Sequence, residues 1–189
     1  KPTLEMVGSL ASSAITNNGI LIFTNSAAQT LSGIMSGSGV VIKNASADVT
    51  LSNSNIFSGN IYLQAGKIIA GNNAAFGTAP LYQVKDLAST IDVNGKTLAN
   101  NLYLYGDGAS SAGAITNGSA TAATISGDVA LTANSLVKTD NDITISGIIS
   151  GGNNLTKAGN GSLTLSNTNV YTGSTTISAG TLSISTDRN

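Results

Sequence analysis

Residues 31–70 read LSGIMSGSGVVIKNASADVTLSNSNIFSGNIYLQAGKIIA, and residues 145–184 read ISGIISGGNNLTKAGNGSLTLSNTNVYTGSTTISAGTLSI. The two stretches align without a gap and share about 14 identities over roughly 40 positions. Most differences exchange similar side chains, such as Ile56 with Val170. Self-similarity of this kind is typical of repeat architectures, in which each unit contacts only its neighbours.

Short groups of apolar residues within each copy predict β-strands. Val49 and Leu51 lie two residues apart, as do Leu163 and Leu165, with a Thr between the members of each pair. Successive side chains of a strand point to opposite faces, so the two apolar residues of a pair share one face. We predict that this face is the core and that Thr and Ser face outward.

Glycine and asparagine separate the predicted strands at matching positions of the two copies. We expect the glycines at corners, where the backbone adopts a positive φ or closely approaches a neighbouring backbone. We expect the asparagines to bond their own backbone at turns and to stack on equivalent residues of the next coil, and we favour this turn role over a ligand role. The structural repeat positions are Gly59, Gly66, Asn53 and Asn55 in the first copy and Gly173, Gly180, Asn167 and Asn169 in the second.

Each copy contains several strand-and-corner units, so the elementary coil is shorter than the repeat, on the order of 20 residues as in other solenoids. Weaker versions of the pattern occur at residues 18–23, 92–98 and 126–131, so residues 1–189 are predicted to form a single elongated domain. This length predicts roughly eight or nine coils, which at about 4.8 Å each form a rod about 40 Å long. Residues 72–89 are the least repeat-like, and we expect a loop, a lateral protrusion or an irregular coil there.

The composition favours a folded, all-β chain. Gly, Ser, Thr and Asn make up about 90 of the 189 residues, while charged residues account for 9% and hydrophobic residues for 41%. Disordered segments combine low hydrophobicity with high net charge, whereas the net charge here is −1. The only Glu is Glu5, and no run of helix-forming residues has a helical period, so helices are not expected. Because the chain has no Cys, its stability must come from stacking and not from disulfides.

Residues 159–185, GNGSLTLSNTNVYTGSTTISAGTLSIS, resemble the passenger-associated transport repeat of autotransporter proteins. That repeat contains a glycine-rich turn, Leu-Thr-Leu, Ser-x-x-Asn, an aromatic residue, Thr-Gly, a pair of Thr and Ala-Gly-Thr-Leu. The matching positions are Leu163–Leu165, Ser166, Asn169, Tyr171, Thr172–Gly173, Thr175–Thr176 and Ala179–Leu182. The first copy departs from the pattern at residues 57–58, 60–62 and 67–68, which indicates an older copy of the same unit. Residues 73–81, 91–98 and 113–117 are similar to segments that join such repeats, so the resemblance covers most of the chain.

The resemblance implies a right-handed parallel β-helix from the passenger domain of a bacterial autotransporter, exposed at the cell surface after type V secretion. It also implies a Sec signal before this region and a C-terminal β-barrel of the same polypeptide, outside this stretch, that anchors it in the outer membrane. No apolar run approaches the roughly 20 residues that a membrane helix needs, and residues 1–3 lack the apolar core of a signal peptide. Proteins with this repeat are mostly adhesins, stalks or toxin passengers, and the repeat is associated with efficient folding and secretion of the passenger. A surface-exposed stalk or adhesin segment is therefore the leading hypothesis.

The residue inventory argues against an enzyme. Without His and Cys, the chain lacks His-based triads, thiolate nucleophiles and the commonest metal ligands, so we expect no catalytic residue, metal site or cofactor. Asp140 and Asp142 are the only close pair of aspartates, and solvated carboxylates are favoured there over a weak calcium site. A polysaccharide lyase would need clustered acids and a basic residue over the groove, and the only Arg is Arg188.

Nucleotides and nucleic acids are also not expected as partners. Residues 95–97, GKT, end like a P-loop, but Thr90 takes the place of the first glycine, so we reject nucleotide binding. The eight basic residues are dispersed and balanced by nine acidic ones, which argues against nucleic acid.

Partner contacts are predicted on outward-facing tyrosines. In residues 101–106, NLYLYG, alternation places the leucines on the core side and Tyr103 and Tyr105 together on the outside. Exposed tyrosine pairs can stack on sugars, although tyrosines that merely tile a lateral face are favoured. Tyr82 and Lys85 are further candidates. The expected partner is a receptor or glycan on a host or bacterial surface.

Other hypotheses stay open from the sequence. The chain could belong to a toxin-type passenger that oligomerises or, with less support, to a lyase-like carbohydrate-active β-helix. An ice-binding solenoid would need a regular Thr-x-Thr ladder, and residues 164 and 175–176 are not echoed in every coil. Because a solenoid fragment exposes unpaired strands at both ends, self-association by end-to-end stacking is also expected.

Overall fold

A computed structural model describes residues 2–7 and 14–185 of the chain. The described residues form strands and a short 3₁₀ turn, Ala109–Ser111, and contain no α-helix. The strands in chain order are β1 Thr3–Met6, β2 Ile15–Thr16, β3 Ile20–Phe23, β4 Gln29–Leu31, β5 Met35–Ser36, β6 Val40–Asn44, β7 Val49–Leu51, β8 Ile61–Ala70, β9 Leu81–Gln83, β10 Ser89–Asp92, β11 Thr97–Leu98, β12 Leu102–Gly106, β13 Ile115–Thr116, β14 Ala123–Ile125, β15 Val129–Lys138, β16 Ile143–Ile145, β17 Ile149–Ser150, β18 Leu155–Ala158, β19 Ser162–Leu165, β20 Thr175–Ile177 and β21 Thr181–Ile184.

The strands fall into three sets, which we call the first, second and third sides of the coil. The first side contains β1, β3, β6, the start of β8, β9, β12, the start of β15 and β17. The second side contains β4, β7, the end of β8, β10, β13, the end of β15, β18 and β20. The third side contains β2 and β5, and later β11, β14, β16, β19 and β21.

All strand pairs in the described part of the chain are parallel, and each strand pairs with the strands on the same side of the neighbouring coils. The long strands β8 and β15 turn the corner between the first and second sides, which joins these two sides into one sheet of 14 strands. The result is a β-solenoid of about nine turns, and the predicted all-β parallel architecture is confirmed. Its right-handed sense follows from the general preference of parallel crossover connections and stays a prediction.

The strand register defines the length of one coil. Leu21 pairs with Val41, Val41 with Ile61, and Ile61 with Leu81, so a residue meets its partner 20 positions further along. This spacing confirms the predicted elementary coil. The coil that begins at Leu102 is longer, because Leu102 pairs with Val129.

The core runs along the axis inside the coils. Alternate strand residues are buried, as predicted for Val49, Leu51, Leu163 and Leu165, whose exposed fractions are at most 1%. Burial of a Leu, Ile or Val side chain contributes about 1.5 to 3 kcal/mol, so each coil is stabilised mainly by its inward-facing residues. The three phenylalanines, Phe23, Phe57 and Phe76, are all buried inside the stack.

The two copies of the long repeat lie on different sides of the solenoid. Leu51 of the first copy belongs to β7 on the second side. Its counterpart Leu165 belongs to β19 on the third side. The second copy is therefore rotated by one side relative to the first.

Residues 72–89 form an irregular coil that includes a strand of the first side. Residues 72–80 pass through turns to β9 without forming a strand of the third side, and Phe76 within them is fully buried. β9 pairs with β8 and β12 in the normal way. The following loop, residues 85–88, is the longest exposed run of this stretch, and Asp86 adopts a φ of 60° there.

A ladder of hydroxyl residues runs along the outside of the third side. Thr97 pairs with Thr124, Thr124 with Thr144, and Thr144 with Thr164, which in turn pairs with Ser183. Thr164 therefore has hydroxyl neighbours in the adjacent coils, but residues 72–80 form no third-side strand and Thr175 pairs with Leu155, so the hydroxyl residues are not repeated in every coil. The paired residues of this ladder are 19, 20 or 27 positions apart in the sequence, because coil length varies, and only the register reveals them.

No helix within residues 2–7 and 14–185 has the length and apolar character needed to cross a membrane.

Candidate binding surfaces and the second-side cleft

Three tyrosines form an aromatic ladder on the outside of the first side. Tyr62, Tyr82 and Tyr103 occupy the same strand position in three successive coils. The ring centroids of Tyr62 and Tyr82 are 5.3 Å apart with an interplanar angle of 25°, and those of Tyr82 and Tyr103 are 4.3 Å apart at 15°. Aromatic pairs of this kind contribute roughly 0.5 to 1.5 kcal/mol each beyond their buried area. The ladder therefore ties three coils together.

Ring stacking within the ladder limits what these tyrosines can bind. Tyr103 stacks on Tyr82, and Tyr103 and Tyr105 are both half-buried while Leu102 and Leu104 are buried. Both faces of the Tyr82 ring are covered by its neighbours, and burial raises the pKa of its hydroxyl. A sugar that stacks on an aromatic ring needs a free ring face, so the middle of the ladder does not provide one.

Tyr105 and Lys85 lie beside the ladder and both contact Asp86. The Tyr105 hydroxyl donates a hydrogen bond to an Asp86 carboxylate oxygen at 2.7 Å, which raises the pKa of Tyr105. The Lys85 ammonium lies 3.8 Å from the Asp86 carboxylate, and both side chains are largely exposed. Exposed ion pairs contribute little to stability, so Lys85 is available to solvent and to partners.

The four repeat glycines are of two kinds. Gly66 and Gly180 adopt φ values of 66° and 68°, in the left-handed region that disfavours residues with a Cβ. Gly59 and Gly173 are needed for space instead, because a Cβ there would collide with the carbonyl oxygens of Gly39 and Asn153 in the preceding coil. Each pair repeats the same constraint at the same position of the two copies.

The four repeat asparagines form hydrogen bonds with backbone groups. The amides of Asn53 and Asn167 donate to the Ser32 and Ser146 carbonyl oxygens of the preceding coil at 2.8 and 3.0 Å. The side-chain oxygens of Asn55 and Asn169 accept from the backbone N–H groups of residues 35 and 149 at 2.7 and 2.8 Å. Asn55 also donates to the Ala75 carbonyl oxygen of the following coil, which lets this buried side chain bridge three coils.

Two buried lysines were missed by the sequence reasoning. Lys43 and Lys157 are fully buried, and their ammonium groups donate to backbone carbonyl oxygens at a corner. Burial lowers the pKa of Lys43 to about 8 against the opposing effect of Asp48, and burial also lowers the pKa of Lys157. One signal was present, because both copies of the repeat carry a Lys at this position.

A cleft of about 550 Å³ opens on the second side of the solenoid, and we call it the second-side cleft. It crosses five successive coils. Its polar lining is Ser46, Asp48, Lys67, Thr90, Asp92, Ser110, Thr116, Asn117, Lys138, Asp140 and Asn141. Except for Asp140, the sequence patterns did not single out any of these residues as a candidate for chemistry or binding, because only the strand register brings them together.

The loop at residues 106–113 overhangs the cleft and holds a strained backbone. Ser110 and Ser111 adopt φ values of 51° and 57° in succession, a conformation that costs on the order of 1 to 3 kcal/mol per residue. Thr90 anchors this loop from the coil below, since its hydroxyl donates to the Gly113 carbonyl oxygen at 2.8 Å and accepts from the Ala109 N–H at 2.9 Å. These two hydrogen bonds fix the position of the loop over the cleft.

The charges in the cleft are paired. The Lys67 ammonium lies 3.6 Å from the Asp48 carboxylate and 3.5 Å from that of Asp92. Asp92 is nearly buried, and its other oxygen accepts from the Asn94 and Gly118 N–H groups at 2.9 and 2.8 Å. A second ion pair joins Lys138 to Asp140 at 3.4 Å.

The described residues contain no group of three or more acids, His or Cys placed to hold a metal ion. The Asp140 carboxylate pairs with Lys138, whereas an Asp142 oxygen accepts from the Ser162 N–H at 2.8 Å. The two carboxylates thus have separate partners. Arg188 lies outside the described residues.

The fold and these surfaces define a parallel β-solenoid with an outward aromatic ladder and a polar lateral cleft. The family described as the passenger-associated-transport-repeat matches residues 155–184. The chain is also similar to the adhesin BmaC autotransporter of Brucella suis biovar 1 (strain 1330), with 30% identity over 154 residues. These residues are 81% of this chain and 4% of that relative, and no solved structure matches the chain. The predicted resemblance to autotransporter passengers that contain these repeats is confirmed.

Proposed function

We propose that this chain is a surface-exposed, structural and adhesive segment of an autotransporter passenger. The observation that carries the proposal is the continuous stack, in which strands of successive coils pair in parallel from β1 to β20 and β21. Such a stack is a quasi-one-dimensional rod that separates its two ends and offers its sides to partners. The named relative is an adhesin, which supports an adhesive role.

We further propose that the repeats aid folding during secretion. Each coil presents paired backbone groups and a core on which the next coil forms, so folding can propagate along the rod from one nucleus. The regular register from β14 to β21 suits this role, because consecutive third-side strands repeat at 20 or 19 residues without interruption.

A deletion series in the full-length protein on bacteria tests the structural role. Removing residues 129–148 deletes one coil in phase, because Val129 pairs with Ile149. We expect this variant to reach the surface and to resist protease as the intact protein does. Removing residues 129–147 shifts the next strand by one residue and turns its core side chains outward, so we expect loss of protease resistance. Equal behaviour of the two deletions would contradict the stacked-rod role.

Competition tests the adhesive role. The purified 189-residue chain, added in excess, is expected to reduce attachment of bacteria that display the full-length protein to host cells. A passenger that lacks residues 21–148 is shortened in phase, because Ile149 then takes the register position of Leu21, and it is expected to attach less well while still being displayed. Full attachment in both experiments would overturn the adhesive part of the proposal and leave the rod intact.

A further inference from the structure

We propose that the second-side cleft binds an uncharged oligosaccharide. This goes beyond the proposed function, because a rod could act as a stalk or an adhesive surface without using this cleft. The cleft lies where the regular stack is interrupted, at the overhanging loop of residues 106–113. Loops held over a rigid scaffold, with locally strained backbone, are typical places for ligand binding.

The charges of the cleft exclude a strongly charged ligand. Lys67 is shared by Asp48 and Asp92, and Lys138 is paired with Asp140, so a phosphate, a sulfate or a uronate would compete with these carboxylates for either ammonium. The lining carries two lysines and three aspartates, a balance of only one negative charge. A multiply charged ligand would have to break these pairs to bind.

The lining also excludes an apolar ligand. Its only apolar side chains are those of Ala109 and Ala112, and no aromatic ring lines it. Apolar ligands are held by large hydrophobic and aromatic walls, which this cleft lacks.

An extended peptide does not suit the cleft floor. Peptides that add to a sheet pair with the free backbone groups of an edge strand. The floor strands β8, β10, β13 and β15 already have a parallel neighbour on each side. No sheet edge is therefore open in the cleft.

A ligand rich in hydroxyl groups fits the lining of the cleft. The exposed carboxylate oxygens of Asp48 and Asp140 accept hydrogen bonds, the ammonium of Lys138 donates them, and the Ser110 hydroxyl and the Asn141 side chain do both. Each sugar hydroxyl both donates and accepts hydrogen bonds. A row of sugar hydroxyls can therefore pair with these donors and acceptors, and an uncharged ligand adds no net charge to the cleft.

The dimensions favour a short chain of sugars over a single ring. The outward residues from Asp48 to Lys138 span four coil steps, roughly 19 Å at about 4.8 Å per step. The volume of about 550 Å³ falls within the usual range for ligand sites.

Titration of the ¹⁵N-labelled 189-residue chain tests this inference. The neutral probes are cellotetraose, maltotetraose, mannotetraose and chitotetraose, and the charged probes are tetragalacturonate and the glucosamine tetramer. We expect at least one neutral probe to shift the backbone amides of Gly66, Gly118 and Asn141 in a saturable way. We expect both charged probes to bind more weakly.

Two matched variants locate the site. Lys138→Met removes a cleft donor and is expected to weaken binding of that neutral probe at least tenfold. Lys96→Met makes the same change on a lysine that does not line the cleft and is expected to leave the Kd unchanged. The unfolding midpoint of each variant shows whether it folds normally.

Three results would overturn the inference: no saturable shift of these amides with any neutral probe at about 10 mM, equal Kd values for the two variants, or tighter binding of a charged probe. None of these results affects the deletion and competition experiments. The proposal for the cleft and the proposed function of the chain can therefore be refuted independently.

Discussion

Lys43 and Lys157 make the same hydrogen bonds on different sides of the solenoid. Each ammonium donates to a carbonyl oxygen two residues ahead and to another 22 residues ahead, at Ala45 and Ala65 for Lys43. For Lys157 the corresponding acceptors are residues 159 and 179, at 2.8 and 3.0 Å. Each lysine thus joins its own corner to the equivalent corner of the next coil from inside the stack.

The buried lysines predict that the free energy of unfolding rises with pH above neutrality. The pKa of Lys43 is about 8 in the folded protein and about 10.4 in an unfolded chain, so between these values the unfolded state binds more protons. We expect an increase of up to about 2 kcal/mol between pH 7 and pH 9.5, at about 1.4 kcal/mol per pKa unit. Urea unfolding at both pH values measures it.

Lys43→Met is the comparison for this pH dependence. We expect a smaller rise in this variant, with the remainder due to Lys157, whose pKa is shifted in the same direction. An identical pH dependence in the variant would show that the Lys43 proton is not involved. If the variant does not fold, direct NMR titration of the Lys43 Nζ gives the pKa.

Crowding at a corner predicts a large effect of Gly59→Ala. A Cβ at Gly59 would collide with the Gly39 carbonyl oxygen, a backbone atom that cannot move without disturbing the neighbouring coil. We expect a loss of more than about 2 kcal/mol in the free energy of unfolding, as for other overpacked sites. At Gly152 the nearest atom to an added Cβ is the Thr172 hydroxyl oxygen at 3.9 Å, so Gly152→Ala should cost less than about 0.5 kcal/mol. Equal costs would argue against this packing of coils.

The bridging role of Asn55 predicts that Asn55→Ala is more harmful than Asn53→Ala. Without the Asn55 side chain, the Met35 N–H and the Ala75 carbonyl oxygen lose their partner in a buried place. Each unsatisfied buried group costs about 1 to 3 kcal/mol, so we expect a total of about 2 to 6 kcal/mol. Asn53 is only half-buried, and water can replace its bonds, so about 1 kcal/mol is expected. The free energy of unfolding of both variants is measured by urea denaturation. A larger loss for Asn53→Ala than for Asn55→Ala would refute the bridging role of Asn55.

The aromatic ladder predicts a stacking contribution at its middle rung. Tyr82→Leu removes two ring contacts and is expected to lower the free energy of unfolding by about 1 to 3 kcal/mol. Tyr82→Phe keeps both contacts and should remain within about 0.5 kcal/mol of the parent chain. The measurement is thermal or urea unfolding followed by tyrosine fluorescence. Similar losses in both variants would mean that the hydroxyl, and not ring stacking, is important.

Much of the fold was predictable from local patterns. Alternation places Val49 and Leu51 inside, and the same rule holds for other strands of the stack. The parallel architecture was implied by the resemblance of residues 159–185 to the transport repeat, and the coil length by analogy with other solenoids. The buried lysines were harder to anticipate, because a Lys at an inward strand position breaks the usual rule for charged residues. Its reason is the set of corner carbonyl oxygens that become its partners only after two coils have stacked.

The second-side cleft was not predictable from sequence spacing. Lys67 and Asp92 are 25 residues apart, and they meet because β8 and β10 pair with Lys67 opposite Thr90. The same holds for the aromatic ladder, since Tyr82 and Tyr103 become neighbours only through the pairing of β9 and β12. Because the coils differ in length, no constant spacing in the sequence identifies such neighbours.

The sequence by itself determined which apolar side chains face inward and where corners fall, because these depend on alternation and on glycine. Only the tertiary structure decided on which side of the solenoid each copy lies. All three sides obey the same rule of alternation, so a repeat fits any of them, and the lengths of the intervening coils, including the long one between Leu102 and Val129, set the rotation. For this reason Leu51 and Leu165 occupy equivalent places in the repeat and different sides of the rod.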